Sequence, residues 1–302
     1  MIEEPRLNNK FTFSGHDTFH CRHLWLKKGY DFIKAGNKFT NEDAVVLLGV
    51  GKNMVSSIYF WMKAFGMLDK TGYLTELAIY LLDDDGKDPY LEDEASLWLL
   101  HYQLVTQELA TTYNLIFNEF RREKIEFTKE QYISFVERKV EELGLSNINR
   151  NTVAADFEVL AKLYLRTDVQ SKDREDTFSG LLTDLGLIKE EKRRVNDRLE
   201  TYYYVVSNEK QEIPEEIILF AILDYGNFDK SISLRTIEQE RNHVCSVFGI
   251  DKTGLLRKIE SIAANAEYSK YGIVFNDHAG IKELQFKERP KKFEALDFYY
   301  GN

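Results

Sequence analysis

Residues 44 to 66 read AVVLLGVGKNMVSSIYFWMKAFG, and this stretch decides how the front of the chain is read. A helix-turn-helix needs a short first helix, a tight turn that usually contains glycine, and a second helix exposed along one side. Ala44 to Leu48 supplies the first helix, with Thr40 and Asp43 as a loose capping box before it. Gly49 or Gly51 permits the sharp turn because it has no Cβ to clash. The second helix starts near Lys52 and sets Met54, Val55, Ile58, Trp61, Met62 and Phe65 at helical spacing, with Gly66 as its stop. Its outward positions are then Lys52, Asn53, Ser56 and Ser57, and Lys63 lies further along. Lysine meets phosphate as a point charge, asparagine pairs with adenine, and serine serves phosphates or base edges. The same stretch lacks the G-x-x-x-x-G-K-[ST] spacing of a nucleotide loop and follows a helix, so nucleotide binding is set aside.

Upstream, FTFSGHDTFHCRHLWLKKG predicts a helix capped at Ser14 and stopped at Gly29. On such a helix His16 and His20 share a face, with Asp17 and Arg22 beside them. A His/Asp/Arg group of this kind can clamp and cut a phosphodiester, so His16, Asp17, His20 and Arg22 are the catalytic candidates. The competing reading has these side chains capping, packing or facing water. HDTFH departs from the zinc-binding H-E-x-x-H pattern, and nothing marks a third ligand. Lys27 and Lys28, with Arg22, add cations for a phosphate backbone.

Downstream, TGYLTELAIYLL gives an extended piece and a helix, and the acidic segment DDDGKDPYLEDE at 83 to 94 marks the clearest boundary. It divides the chain into a DNA-binding region at 1–90 and a helical, winged-helix-like domain at 91–302. That acidic run can offer carboxylates to Mg²⁺, although such runs are ordinarily solvated loops. ASLWLLHYQLVTQELATTYNLIFNEF reads as one long apolar helical segment, FTKEQYISFVERKVEELG as a helix capped by Thr128, and NINRNTVAADFEVLAKLYL as a small helix leading into a longer one. EDTFSGLLTDLGLI and LETYYYVVSN suggest a short helix and a strand. PEEIILFAILDYG opens a set of helices closed by two strands in YGIVFNDHAGIKELQF, a winged-helix layout. Glu137-Arg138-Lys139 has a nuclease-like E-x-K spacing but falls on a helix. The fold class is therefore mainly α with small β wings.

Charge supports this division. The 302 residues carry a formal net charge of −10, yet residues 1 to 66 hold nine basic and six acidic side chains, a balance of +3 that leaves −13 for the rest. A phosphate backbone responds to local potential and not to the mean. No apolar run approaches the roughly 18 residues of a membrane span. The start MIEEPRLNNK has no apolar leader, and Cys21 and Cys245 have no metal-type spacing, which together predict a cytoplasmic protein with reduced thiols.

FSGHDTF with the following Arg22 and WLKKG, LGVGKNMV with its downstream tryptophan, and YLEDEASLWLLHYQL resemble domain-of-unknown-function family 4007. EDTFSGLL and IVFNDHAGIKELQF followed by FYY are similar to that family's C-terminal half, with Gly180 where the family usually carries proline nearby. The resemblance implies a component of bacterial DNA phosphorothioation and phage defence. Members are encoded beside a cysteine desulfurase, an ATP pyrophosphatase-like enzyme and an ATPase. In single-strand (Ssp) systems the similar component nicks DNA, which implies a nicking endonuclease drawing on Mg²⁺ or Mn²⁺. The alternative is a DNA-binding regulator or adaptor without catalysis. DNA and the sulfur-transfer proteins are the expected partners, no membrane is involved, and a homodimer stays open.

Overall fold

The computed structural model describes residues 11–145, 148–166, 180–278 and 280–301. The chain divides into two compact units, 1–205 and 206–302. The expected boundary at residue 90 is not where it splits. The acidic segment belongs inside the first unit, because Asp83 and Asp84 are ion-paired to Lys34 and Lys27.

In the first unit α1 spans Trp25–Lys34, α2 Ala44–Leu48, α3 Lys52–Ala64 and α4 Glu76–Leu82. The helices α2 and α3 form where the glycine pattern places them. Gly49 closes α2 in the left-handed conformation at φ 63°, and Gly51 precedes α3. The capping box expected at Thr40 and Asp43 does not form: Asp43 is the N-cap residue but its side chain accepts no cap bond. Thr75 caps α4 by accepting from the Ala78 N–H at 3.2 Å. Phe32, Ala44, Leu48 and Val55 lock α1, α2 and α3 into one small apolar cluster.

The helix expected from Ser14 to Gly29 starts ten residues later. Ser14 and Asp17 have positive φ (63° and 53°), which no helix tolerates. Gly29 lies inside α1 and is no stop. A Cβ there would fall 2.8 Å from Met62 Cγ, so the glycine lets α1 approach α3 closely.

The long apolar run is broken. α5, Glu94–Thr106, is buried on all sides and fills the centre of the unit with Trp98, Leu99 and Leu100. Glu108 turns at φ 58°, a conformation costing a non-glycine residue of order 1 kcal/mol. α6 (Thr111–Leu115), a π-helical turn (Ile116–Phe120) and α7 (Arg121–Glu123) follow. α8, Lys129–Glu142, carries the Thr128/Gln131 capping box, and α9 runs Arg150–Tyr164. A three-stranded antiparallel sheet has the order β1 (Glu126–Phe127), β3 (Arg198–Val205), β2 (Ile188–Val195). The tyrosine run is strand β3 as expected, with Tyr203 packed on Phe157 and Tyr202 under Arg193. Its partner β2, IKEEKRRV, has no alternation to announce it, and only the turn residues Asn196 and Asp197 at φ 47° and 60° mark the hairpin. Most of EDTFSGLL lies outside the described residues; TDL at 183–185 is a 3-10 turn.

The second unit holds α10 (Glu215–Tyr225), β4 (Ser231–Ser233), α11 (Leu234–Gln239), α12 (Val244–Phe248), α13 (Lys252–Ala264), β5 (Ile273–His278), β6 (Ile281–Phe286) and α14 (Lys292–Tyr300). Its antiparallel sheet has the order β4-β6-β5. The two late strands pair as expected, and a short third strand joins them. The whole is mainly helical with two small sheets. No helix among the described residues is long and apolar enough to cross a membrane.

Candidate nucleic-acid interface

The opening segment 11–24 is irregular, and several of its polar groups bond to the helices it crosses. The Thr12 N–H donates to Thr111 Oγ1 at 2.7 Å, and the Phe19 carbonyl accepts from Trp61 Nε1 at 3.0 Å. Asp156, on α9 and itself buried, accepts from the Ser14 N–H at 2.8 Å and from His16 Nε2 at 2.7 Å. The His16 ring stacks on Trp61 with 5.4 Å between centroids and 10° between planes. A Cβ on Gly15 would lie 2.5 Å from the Phe60 ring. FSGHDTF is thus a clasp that Ser14, Gly15 and His16 seat on the inner face of α3 and on α9.

This corrects the expected cutting cluster. His16 and His20 are buried while Asp17 is exposed and Arg22 half-buried over Trp25, so the four do not share one solvent-facing helical surface. The helix that would have aligned them does not form.

The candidate DNA-contacting residues separate into two groups. Lys28, Lys52, Asn53 and Ser56 are exposed, and Lys63 is half-buried with its ammonium 4.3 Å from the Tyr59 ring centroid. No side-chain hydrogen bond or ion pair among the described residues engages Lys52, Asn53 or Ser56. Ser57 is a correction: it is fully buried, with its hydroxyl 3.5 Å from the Phe19 carbonyl, because position 57 turns onto the inner face of α3. Lys27 is another. It is buried, donating to Asp31 and Asp84 at 2.8 Å each and to the Leu82 carbonyl at 3.2 Å, so its charge is already neutralised. Beside it the Tyr30 hydroxyl and then the Lys34 ammonium hold Asp83 well below the usual carboxylate range, and Lys27 lowers the pKa of Asp84. Part of the acidic run is therefore a brace for α1.

Beyond the far end of α3 lies a cleft of about 580 Å³, lined among others by Lys63, Gly66, Asp69, Lys70, Gln107 and Glu108. Asp69 opens a turn: its Oδ1 accepts from the Thr71 hydroxyl at 2.6 Å and from the Tyr73 N–H at 3.0 Å, which hold it ionised to lower pH than a free aspartate. Two acidic and two basic residues line one solvent-open space. Sequence reasoning missed Asp69, Lys70 and Glu108. Asp-Lys-Thr-Gly reads only as a turn, and Glu108 joins it through the break between α5 and α6, which no periodicity reveals.

No curated protein matches the chain. Two solved structures do: a crystal structure of SspB, 29% identical, and a magnesium-ion-bound crystal structure of SspB, 28% identical. Each superposes with a TM-score of 0.82 over 96% of this chain and 88% of the other. The sequence profile of a family described as protein of unknown function (DUF4007) matches residues 13–300, and the chain belongs to that family.

Proposed function

We propose that this protein serves in a bacterial DNA phosphorothioation system of the Ssp type, where it binds DNA and nicks one strand for the sulfur-transfer enzymes. The observation that carries this reading is likeness to SspB over nearly the whole chain. The local chemistry agrees with it. The opening turn of α3 presents Lys52, Asn53 and Ser56 to solvent with free backbone N–H groups, an arrangement suited to phosphate oxygens and base edges. Lys28 adds an exposed cation on α1.

Cutting needs charge stabilisation at phosphorus, and in this reading the cleft supplies it. Lys63 and Lys70 draw the phosphate in and neutralise charge growing on its oxygens. Among the described residues no group of three or more His, Cys, Asp or Glu side chains is placed to hold a metal. Mg²⁺, however, commonly rests on one or two carboxylates and completes its shell with water and phosphate oxygens. Asp69 and Glu108 both line the cleft and are the residues that would hold such an ion; a bound Mg²⁺ or Mn²⁺ would supply Lewis-acid chemistry there. His16 and Asp156 act as positioning residues, since they fix Trp61 and with it the register of α3.

The test is incubation of purified protein with supercoiled plasmid and Mg²⁺ or Mn²⁺, with EDTA as control. Relaxed circles that disappear with EDTA and with Asp69→Asn or Glu108→Gln are expected. Intact supercoil at protein excess, with plasmid bound, leaves a DNA-binding adaptor instead.

A further inference from the structure

A second cavity sits on the other side of the same turn. It measures about 420 Å³ and is lined by Phe39, Tyr59 and Tyr73 together with Asn37, Thr40 and Thr71. That volume is within the range of sites that hold small organic molecules. Phe39 and Tyr59 meet at 5.1 Å with 37° between their rings, which makes a continuous aromatic wall. Tyr73 is 73% exposed, which leaves its ring open to a partner from solvent. Amide and hydroxyl groups at the same wall can pair with the polar edge of a planar heterocycle.

The two spaces are joined by five consecutive residues. Asp69 and Lys70 line the charged cleft, while Thr71, Gly72 and Tyr73 line the aromatic cavity. Lys63 belongs to the first space, yet its ammonium lies over the Tyr59 ring of the second. Gly72 supplies the φ of 93° that this turn requires and that other residues rarely adopt, and it lies beside the Tyr59 hydroxyl. An aromatic chamber beside a cleft that carries two lysines matches the two halves of a nucleotide, a stackable base and a phosphate.

We propose that this pair of cavities takes one unstacked nucleotide of a DNA strand, its base among Phe39, Tyr59 and Tyr73 and its phosphate at Lys63 and Lys70. The proposal rests on the DNA-binding reading above and names its substrate: a strand with a nucleotide drawn out of the duplex, as at a bulge, and not the regular double helix. Extrusion places the phosphodiester flanking that nucleotide at the carboxylates of the neighbouring cleft. Stacking on aromatic rings is tolerant of base identity, so preference for structure over sequence follows.

The experiment uses the full chain and two fluorescent duplexes that differ by a single unpaired 2-aminopurine, without added metal. The bulged duplex is expected to bind about tenfold more tightly than the paired one, and its 2-aminopurine fluorescence to be quenched on binding. Tyr73→Ala and Tyr59→Leu should bring the bulged probe's affinity down to that of the paired duplex and restore its fluorescence. Thermal unfolding checks that both variants fold, and the surface position of Tyr73 protects that arm of the test. Equal affinity for the two duplexes, or a preference that survives both substitutions, overturns the proposal and leaves DNA binding intact. Failure to bind either duplex overturns the DNA-binding reading with it.

Discussion

Helices α3 and α13 are near copies in sequence logic and opposites in use. Each has 13 residues and begins with lysine, and each follows a five-residue helix closed by a left-handed glycine, Gly49 at φ 63° and Gly249 at φ 68°. The opening turn of α3 faces solvent. The first two turns of α13 are packed on one side against residues 208–213 of its own unit: the Asp251 N–H donates to the Asn208 carbonyl at 2.8 Å, Lys258 donates to the Gln211 and Ile213 carbonyls, and Arg257 pairs with Glu209. Burial lowers the pKa of Lys258. Lys252 is exposed like Lys52, but one turn further on α13 engages Arg257 and Lys258 in holding the fold, where α3 carries Ser57 and Ile58. The lesson is that a short helix, a glycine turn and a basic helix specify a shape, while the neighbouring segment decides whether that shape is a surface.

Three changes break or sharpen this comparison, and the first has the largest effect. A Cβ at Gly254 would lie 2.2 Å from the Glu209 carbonyl oxygen, whereas one at Gly51 would meet nothing within 4 Å. Gly254→Ala is expected to destabilise the second unit by about 3 kcal/mol, the upper end of overpacking costs, because backbone must move. Gly51→Ala should cost under about 1 kcal/mol. The three tryptophans, at 25, 61 and 98, all lie in the first unit. In urea, the Gly254 variant should therefore shift a circular-dichroism transition and leave the tryptophan transition in place. A shift in both would mean that the units unfold together.

Acid provides the next test. His243 is buried beside Tyr225, its Nδ1 accepts from the Val244 N–H at 3.0 Å, and burial pushes its pKa from 6.5 down to about 3. Between these values the unfolded chain takes up a proton that the folded one refuses. This contribution to stability is intact above pH 6.5 and falls as pH drops towards 3, by about 1.4 kcal/mol per pH unit. His243→Gln should flatten the acid dependence of the second unit between pH 6.5 and 4. An unchanged slope would assign the acid loss to the carboxylates.

The smallest effect concerns stability least and DNA most. Lys52→Ala with Asn53→Ala should leave the unfolding midpoint within about 0.5 kcal/mol, as surface changes do. It should weaken duplex binding and flatten its salt dependence by about one unit of slope for the lost phosphate contact. Lys252→Ala, the matching residue of α13, should change neither. Equal losses from both helices would erase the distinction between them.

Much of this architecture was legible because local physics dictates it. The glycines at 49 and 51 and the 3.6-residue apolar spacing place α2 and α3, Thr128 announces α8, and the tyrosine run announces β3. The histidine cluster misled for an equally physical reason. HDTFH has helical spacing, but its conformation follows from a carboxylate 140 residues away and from Trp61, neither visible from the segment itself. Ser57 and Lys27 were assigned outward positions that packing reversed. The charged cleft gathers Lys63, Asp69 and Glu108 from separate elements around a helix break.

The sequence by itself determined the mainly helical class, the glycine-hinged helices, the late β hairpin and the family, since each depends on neighbours a few residues apart or on motifs in order along the chain. Only the tertiary structure decided which cations remain available to a polyanion, which histidines are framework, and where carboxylates and rings converge. Burial and charge pairing are set by residues far apart in the chain, and no local pattern carries that information.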